Sequence, residues 1–172
     1  MRTTDGTAEP LSEGGYLIRF AQTYPTTPED LWHAVTDRER LSRWMAPYEG
    51  DLRLGGHWTA RYDDGSVFTV GQVTACDPPR SFTTTWHAVE EQQTTITVTV
   101  EPTEHGASLR LEHQGVGSID YLAGWHTYLE LLELDLDGDT AAAATFDWDA
   151  RYRELRTRYR ENGAGGVTPE RP

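Results

Sequence analysis

Apolar and polar positions alternate along most of this chain, and the period of that alternation sorts it into elements. Tyr16, Ile18 and Phe20 alternate with Leu17, Arg19 and Ala21, as in a half-buried strand. Thr27-Pro28-Glu29-Asp30 then reads as a helix start, with Thr27 as cap, Pro28 at the first helical position and Asp30 three residues past the cap. Leu31, Trp32 and Val35 give this short helix its apolar face. Asp37 opens a second one that buries Leu41, Trp44 and Met45, and Pro47 ends it.

From Gly55-Gly56 onward the period is two. Trp58, Ala60 and Tyr62 share one face, and Asp63-Asp64-Gly65 makes a hairpin turn. The returning strand is expected to turn Phe68 and Val70 inward, pass a bulge at Gly71, and continue with Val73 and Ala75. Pro78-Pro79 forces a corner, since neither residue donates to a ladder. Phe82, Thr84 and Trp86 form the next inward set. Ile96, Val98 and Val100 alternate with threonines, and Ala107, Leu109, Leu111 and His113 return on the inner face.

After Gly117 the period lengthens. Leu122, Trp125, Leu129, Leu132 and Leu136 recur at steps of three and four, an amphipathic helix of about 18 residues by this pattern. Gly138 stands where a left-handed cap would close it. Gly124, in mid-helix, is expected to let the sheet approach closely. Trp148, Tyr152, Leu155 and Tyr159 mark the apolar seam of a further helix carrying five Arg, expected to form a solvated face. Its alternatives are a lid on a pocket mouth or a dimer contact. The expected class is α+β. An antiparallel sheet of about seven strands curves around the long C-terminal helix, with two short helices after the first strand and an extra terminal helix. The boundaries are a flexible N-terminus at 1–15, the domain at 16–138, a linker at 139–145, the added helix at 146–161 and a disordered tail at 162–172.

Composition narrows the function. The net charge of -13 opposes binding to nucleic acid or to an anionic membrane. All fifteen basic residues are Arg, so lysine Schiff-base chemistry is excluded. Cys76 is the only cysteine, which rules out an internal disulfide and a cysteine metal cluster. Without an apolar block for a secretory signal or a membrane span, the expected location is the cytoplasm. No pair of His residues has metal-binding spacing and no Gly-x-Ser-x-Gly elbow occurs, so no metal, cofactor or catalytic residue is assigned.

Several motifs together resemble a known family. They are Pro28 to Asp37 with Leu41-Ser42-Arg43-Trp44-Met45, Leu54-Gly55-Gly56-His57-Trp58, the Gly71 strand, Asp77-Pro78-Pro79-Arg80, Thr85-Trp86, and Gly124-Trp125 with Leu129 and Leu132. In this order they are similar to the stand-alone domain related to the activator of the heat-shock-protein-90 ATPase, within the START and Bet v 1-like (SRPBCC) helix-grip superfamily. Arg38 departs from the Pro usual after the Thr-Asp pair, and the helix after 145 lies outside the pattern. The resemblance implies a cavity between sheet and long helix but no single activity, because relatives include carriers, cyclases and chaperone partners.

The candidate ligand-binding residues are Trp58, Tyr62, Phe68, Trp86, His113, Tyr121, Trp125 and Tyr128, mostly inward aromatics able to stack on a flat apolar ligand. His113 is either a satisfied core histidine or a polar contact to the ligand, and His126 faces either pocket or solvent. The leading expectation is a carrier of an apolar small molecule. The alternatives are a polyketide cyclase or isomerase using the same cavity, and a partner of a chaperone ATPase; a homodimer is also open.

Overall fold

The computed structural model describes residues 2–163. Strand β1 spans Thr7–Pro10 and β2 Tyr16–Tyr24; helices α1 (Pro28–Thr36) and α2 (Arg38–Trp44) follow. Six strands then run in meander: β3 (Tyr48–Gly50), β4 (His57–Arg61), β5 (Val67–Asp77), β6 (Ser81–Ala88), β7 (Thr94–Thr103) and β8 (Gly106–Val116). Helices α3 (Tyr121–Asp137), α4 (Thr140–Ala144) and α5 (Trp148–Glu161) complete the described chain. All eight strands form one antiparallel sheet in the order β1-β2-β8-β7-β6-β5-β4-β3, so β2 closes onto the last strand.

The two short helices form as their caps dictate. Thr27 Oγ1 accepts the Asp30 amide at 3.1 Å, and Asp37, which ends α1, caps α2 by accepting the Arg40 amide at 3.0 Å. Arg40 reaches Asp30 at 3.0 Å and Asp135 of α3 at 3.1 Å, tying both short helices to the long one.

The inner face of the sheet carries Ile18 and Phe20 of β2, Leu109 and Leu111 of β8, Ile96 and Val98 of β7, and Trp86 of β6, all buried. The stripe of α3 packs there, with Leu122, Leu129 and Leu132 each at 0% exposure; a fully buried Leu contributes about 2 kcal/mol. The helix is 17 residues long and ends at Gly138, whose φ of 68° is the left-handed conformation that favours glycine.

Strand β5 departs from its expected phase. Ala60 pairs with Thr69 and Arg61 with Val67, so Phe68 is the bulged residue. Downstream of it Thr69 and Val73 face inward, while Val70 and Ala75 are exposed. Gly71 is no bulge. It pairs with Trp58, and a Cβ there would overlap the Trp58 indole and the Thr85 carbonyl oxygen, so glycine makes room for the ring.

The N-terminus, expected to be flexible, is held. Besides β1, the Arg2 and Thr3 amides donate to the buried Glu133 carboxylate at 2.8–3.0 Å, and the Gly6 amide donates to Tyr159 Oη at 2.9 Å. Ala8 is the only buried side chain of β1, which explains why hydrophobic patterning passes it over. The expected linker contains α4, capped by Asp139 on the Ala142 amide at 3.0 Å. Of the expected tail, Asn162 and Gly163 follow α5 and the rest lies outside the described residues.

The Arg-rich face of α5 is solvent-facing, as expected, and is also anchored by ion pairs. Arg151 donates to Glu130 of α3 through Nε at 2.8 Å and Nη2 at 2.6 Å. Arg156 and Arg160 both reach Asp120, at 3.1 and 2.7 Å, and Arg158 pairs with Asp5. Leu155 and Tyr159 of the seam are buried beneath them.

Burial alone would raise the Glu130 carboxyl, but hydrogen bonds and charge from Arg151 and His126 outweigh it and hold the group down at about 2, from an ordinary 4.5. A depressed folded-state value adds stability in full above pH 4.5, and that stability is lost as pH falls toward 2. Glu130→Gln should therefore cost about 3 kcal/mol at pH 7. Urea unfolding at a series of pH values should show the gap to the parent constant above pH 4.5 and closing below it.

Candidate functional site

Two spaces lie against the inner face of the sheet. The first, between sheet and helices, is apolar and small, about 60 Å³, lined among others by Val35, Leu41, Trp58, Val73 and Leu111. The second is an open cleft of about 1130 Å³ at one end of the domain. Its walls come from the β4–β5 turn, the Phe68 bulge, the turn after β6, the first half of α3, and the segment from Phe146 to Tyr152 that leads into α5. Met45, Trp86 and Trp125 line both spaces and so form the partition. The larger space is therefore bounded by the sheet at Phe68 and Trp86 and by α3 from Tyr121 to Tyr128, with the segment from Phe146 to Tyr152 as a further wall. Deeper between sheet and helix, the indoles of Trp58, Trp86 and Trp125 take up the room that smaller residues would leave open.

An unbroken series of rings lines the cleft. From Tyr62 to Phe68 the centroids are 5.1 Å apart, from Phe68 to Trp86 5.4 Å, and from Trp86 to Trp125 5.6 Å. The series continues to Tyr128 at 6.3 Å, Trp148 at 5.3 Å and Tyr152 at 5.1 Å, the last pair stacked within 12°. The first five, Tyr62 to Tyr128, are the aromatics whose strand and helix phases point them inward. Trp148 and Tyr152 complete the belt from α5, and their i, i+4 spacing is the signal for them in the sequence. Gly124 faces this space: a Cβ there would meet nothing within 4 Å. It leaves the cleft open and does not serve a close approach of the sheet.

The remaining candidates divide. Trp58 lines only the inner cavity, its Nε1–H donating to Thr84 Oγ1 at 2.7 Å. Tyr121 lines the cleft and donates its hydroxyl to the Glu91 carboxylate, a residue with no marker in the sequence. Burial first, then Glu91, pushes the Tyr121 phenol up, and burial does the same to Tyr128, aided by Tyr62 and Asp63. Both stay protonated at neutral pH.

His113 lines neither space. Trp125 Nε1–H donates to its Nδ1 at 3.0 Å, which leaves the proton on Nε2 to be donated to Thr94 Oγ1 at 2.7 Å; that hydroxyl donates in turn to the Trp86 carbonyl at 3.1 Å. With both nitrogens engaged it offers a ligand nothing directly. Its ring instead packs edge-on against Tyr121 at 4.9 Å and against Trp86 at 5.6 Å, so it supports three cleft residues from behind. His126 faces neither pocket nor solvent: it sits beneath α5, with Nδ1 2.8 Å from Tyr159 Oη and Nε2 3.3 Å from Glu130. Among the described residues no group of three or more His, Cys, Asp or Glu is placed to hold a metal ion, and no helix is long and apolar enough to cross a membrane.

An antiparallel sheet holding a long C-terminal helix on its inner face, with two short helices after its first long strand, defines a helix-grip protein of the SRPBCC type. The chain belongs to the family described as activator of Hsp90 ATPase homolog 1-like protein, whose model matches residues 25–136. CalU16 from Micromonospora echinospora has a similar structure, with a TM-score of 0.75 and 23% identity over 96% of this chain and 100% of its own. Protein MLL2253 from Mesorhizobium loti is 25% identical, with a TM-score of 0.65, over 70% of this chain and 96% of its own. PFC0360w, an HSP90 activator from Plasmodium falciparum, is 24% identical, with a TM-score of 0.60, over 72% of this chain and 97% of its own. The comparison with curated proteins gives no match. The family match ends before α4 and α5, so the helix that supplies Trp148 and Tyr152 lies outside the matched residues, whereas the CalU16 match extends over 96% of this chain.

Burial pushes the His113 imidazole down to about 3 from an ordinary 6.5. The unfolded chain binds this proton below pH 6.5 and the folded one does not, so His113 contributes stability above 6.5 that is lost as pH falls toward 3. Nitrogen-detected NMR of the imidazole should show a neutral Nε2–H tautomer throughout pH 5–8. A titration near pH 6.5 would contradict this hydrogen-bond chain.

Proposed function

We propose that this protein binds and carries an apolar, aromatic small molecule in the cleft framed by Trp86, Trp125, Tyr128 and Trp148. The observation that carries this reading is the unbroken belt of seven rings around about 1130 Å³ of open space. Small-molecule sites hold roughly 300–1,000 Å³ and are lined mainly by apolar and aromatic side chains with a few polar groups. The inner cavity, at about 60 Å³, has room for only a few atoms and serves as slack behind the partition. Stacking on the belt and burial at about 25 cal/mol per Å² supply affinity. The hydroxyls of Tyr121 and Tyr128, both held in the protonated form, supply orientation.

A second reading, catalysis of the cyclase or isomerase kind, draws on the Tyr121–Glu91 pair, a proton donor and a carboxylate side by side in the cleft wall. It requires that a bound compound be converted, and that Glu91→Gln stop the conversion. Partnership with a chaperone ATPase, the role named for the Plasmodium relative, would draw on a broad exposed apolar face. The large apolar side chains exposed among the described residues are Leu54, Tyr62, Val70 and Val89, and two of them, Tyr62 and Val89, belong to the cleft.

Gly124 gives the direct test. Gly124→Ala should stabilise the protein by about 1 kcal/mol, because a mid-helix glycine is replaced where space is free. Gly124→Phe should fill the cleft and weaken binding of a neutral fluorescent probe, hydroxymethylanthracene, by about tenfold or more, on the order of 1.4 kcal/mol. Absence of saturable binding by the parent, or binding indifferent to Gly124→Phe, would remove the cleft as the site.

A further inference from the structure

The two spaces against the sheet differ in what they can hold. Behind the partition of Met45, Trp86 and Trp125, the polar side chains leave nothing free for a solvent molecule. Thr36 donates to the Trp32 carbonyl at 2.6 Å, and Thr84 Oγ1 takes the Trp58 N–H at 2.7 Å while donating to the Gln72 carbonyl at 3.1 Å. Trp44 Nε1–H donates to the Ala34 carbonyl at 2.8 Å, Trp125 Nε1–H to His113 at 3.0 Å, and the Tyr48 hydroxyl to Met45 Sδ at 3.3 Å. Trp86 Nε1 has almost no accessible surface and lies beside the Tyr121 hydroxyl. An ordered water needs about two to four polar partners, and the side chains lining this space offer none. The other walls are aliphatic, Val35, Leu41, Val73 and Leu111 among them. The slack behind the partition, about 60 Å³, is therefore room that only carbon can use.

The three residues of the partition are not equally free to move. Trp125 is pinned through His113, and Trp86 is wedged between Phe68 at 5.4 Å, His113 at 5.6 Å and Trp58 at 6.0 Å. Met45 is half-buried at the end of α2. Its backbone is fixed on either side, by Trp44 on Ala34 and by the Arg61 amide on the Pro47 carbonyl at 3.0 Å. Its side chain is flexible and unbranched, and its thioether is a weak acceptor for Tyr48. Moving either indole breaks ring packing or a buried hydrogen bond, whereas moving the Met45 side chain joins the two spaces at small cost.

We infer that Met45 sets the shape of ligand that the cleft accepts: a flat aromatic body carrying a slender, unbranched alkyl substituent, which displaces the Met45 side chain and enters the space behind it. This rests on the reading of the cleft as a binding site, and adds the substituent class of its occupant and the residue that selects it. The rings lie along Trp86, Trp125 and Tyr128, and the chain passes between Met45 and the indoles toward Val73 and Leu111. A branched substituent of the same carbon count meets Trp86 and Trp125 and stays in the cleft. Because the space behind holds only a few carbon atoms, the gain ends at a short chain.

Hydroxymethylanthracenes bearing methyl, n-butyl or tert-butyl on the ring opposite the hydroxymethyl group separate shape from hydrophobicity. In fluorescence titrations of the parent, the n-butyl compound should bind about tenfold tighter than its tert-butyl isomer, at about fourfold for each methylene buried. NOEs from the end of the n-butyl chain should reach Val73 and Leu111. Met45→Ala should remove the partition, admit the tert-butyl isomer and bring the ratio close to one. Val73→Phe, which fills the space behind, should lower the n-butyl compound to the level of its isomer. Binding of the methyl compound by each variant reports that the cleft is intact, and the NOEs need no variant. Equal binding of the two isomers by a parent that binds the methyl compound would overturn the inference and leave the cleft as a site for flat rings alone. A ratio unaltered by Met45→Ala, or NOEs confined to the cleft, would equally overturn it. Failure of all three compounds to bind the parent would remove the underlying site, and the inference with it.

Discussion

The bidentate pair between Glu130 of α3 and Arg151 of α5 decides where the last helix of the described chain lies, and the cleft depends on that placement. Glu130 is almost wholly buried, and without its guanidinium partner it would be an uncompensated charge inside the protein. The partnership leaves α5 little freedom to dock elsewhere. Asp120 repeats the device at the other end of the helix by binding Arg156 and Arg160. With both ends held, Trp148 and Tyr152 reach the rings of Tyr128 and its neighbours and close one wall of the cleft.

Behind that wall the belt is kept in order by polar contacts that point away from the ligand space. His113 accepts from Trp125 and donates to Thr94, so the indole of Trp125 cannot rotate without breaking a buried hydrogen bond. The ring of Tyr121 rests on the same imidazole. Trp58 is locked by Thr84 and lies over Gly71, filling the space on the far side of the partition. Under the proposed reading this arrangement would make a pre-formed site: the groups that would face a ligand are aromatic, and those that fix them are satisfied from behind. The unpartnered N–H groups of Trp86 and Trp148 are the exceptions.

How far this was legible in the sequence depends on the kind of interaction involved. The α3 stripe from Leu122 to Leu132 and the caps at Thr27 and Asp37 were readable because local periodicity and capping chemistry determine them. So was the inward set of β8, His113 included. The phase of β5 was legible only in part: Val73 faces inward as expected, but a bulge at Phe68 turns Val70 outward and a second irregularity between Val73 and Ala75 turns Ala75 outward, and the alternation of apolar residues carries no trace of either. The held N-terminus escapes the pattern for a related reason: its anchor is a carboxylate on α3, and its own apolar content is one alanine. Trp148 and Tyr152 were visible as a helical stripe, but their destination was not. A row of arginines reads as a solvated surface until the acids that meet it are known, and Glu130 and Asp120 lie 21 and 36 residues away from the arginines they bind, Arg151 and Arg156.

Intermolecular NOEs between hydroxymethylanthracene and the protein most directly test whether the added helix and the shared domain enclose one binding site. The probe's ring protons should show contacts to Tyr128 and Trp125 of α3 together with Trp148 and Tyr152 of α5. Contacts confined to Val35, Leu41 and Trp58 of the inner cavity, or to surfaces outside the belt, would contradict the account.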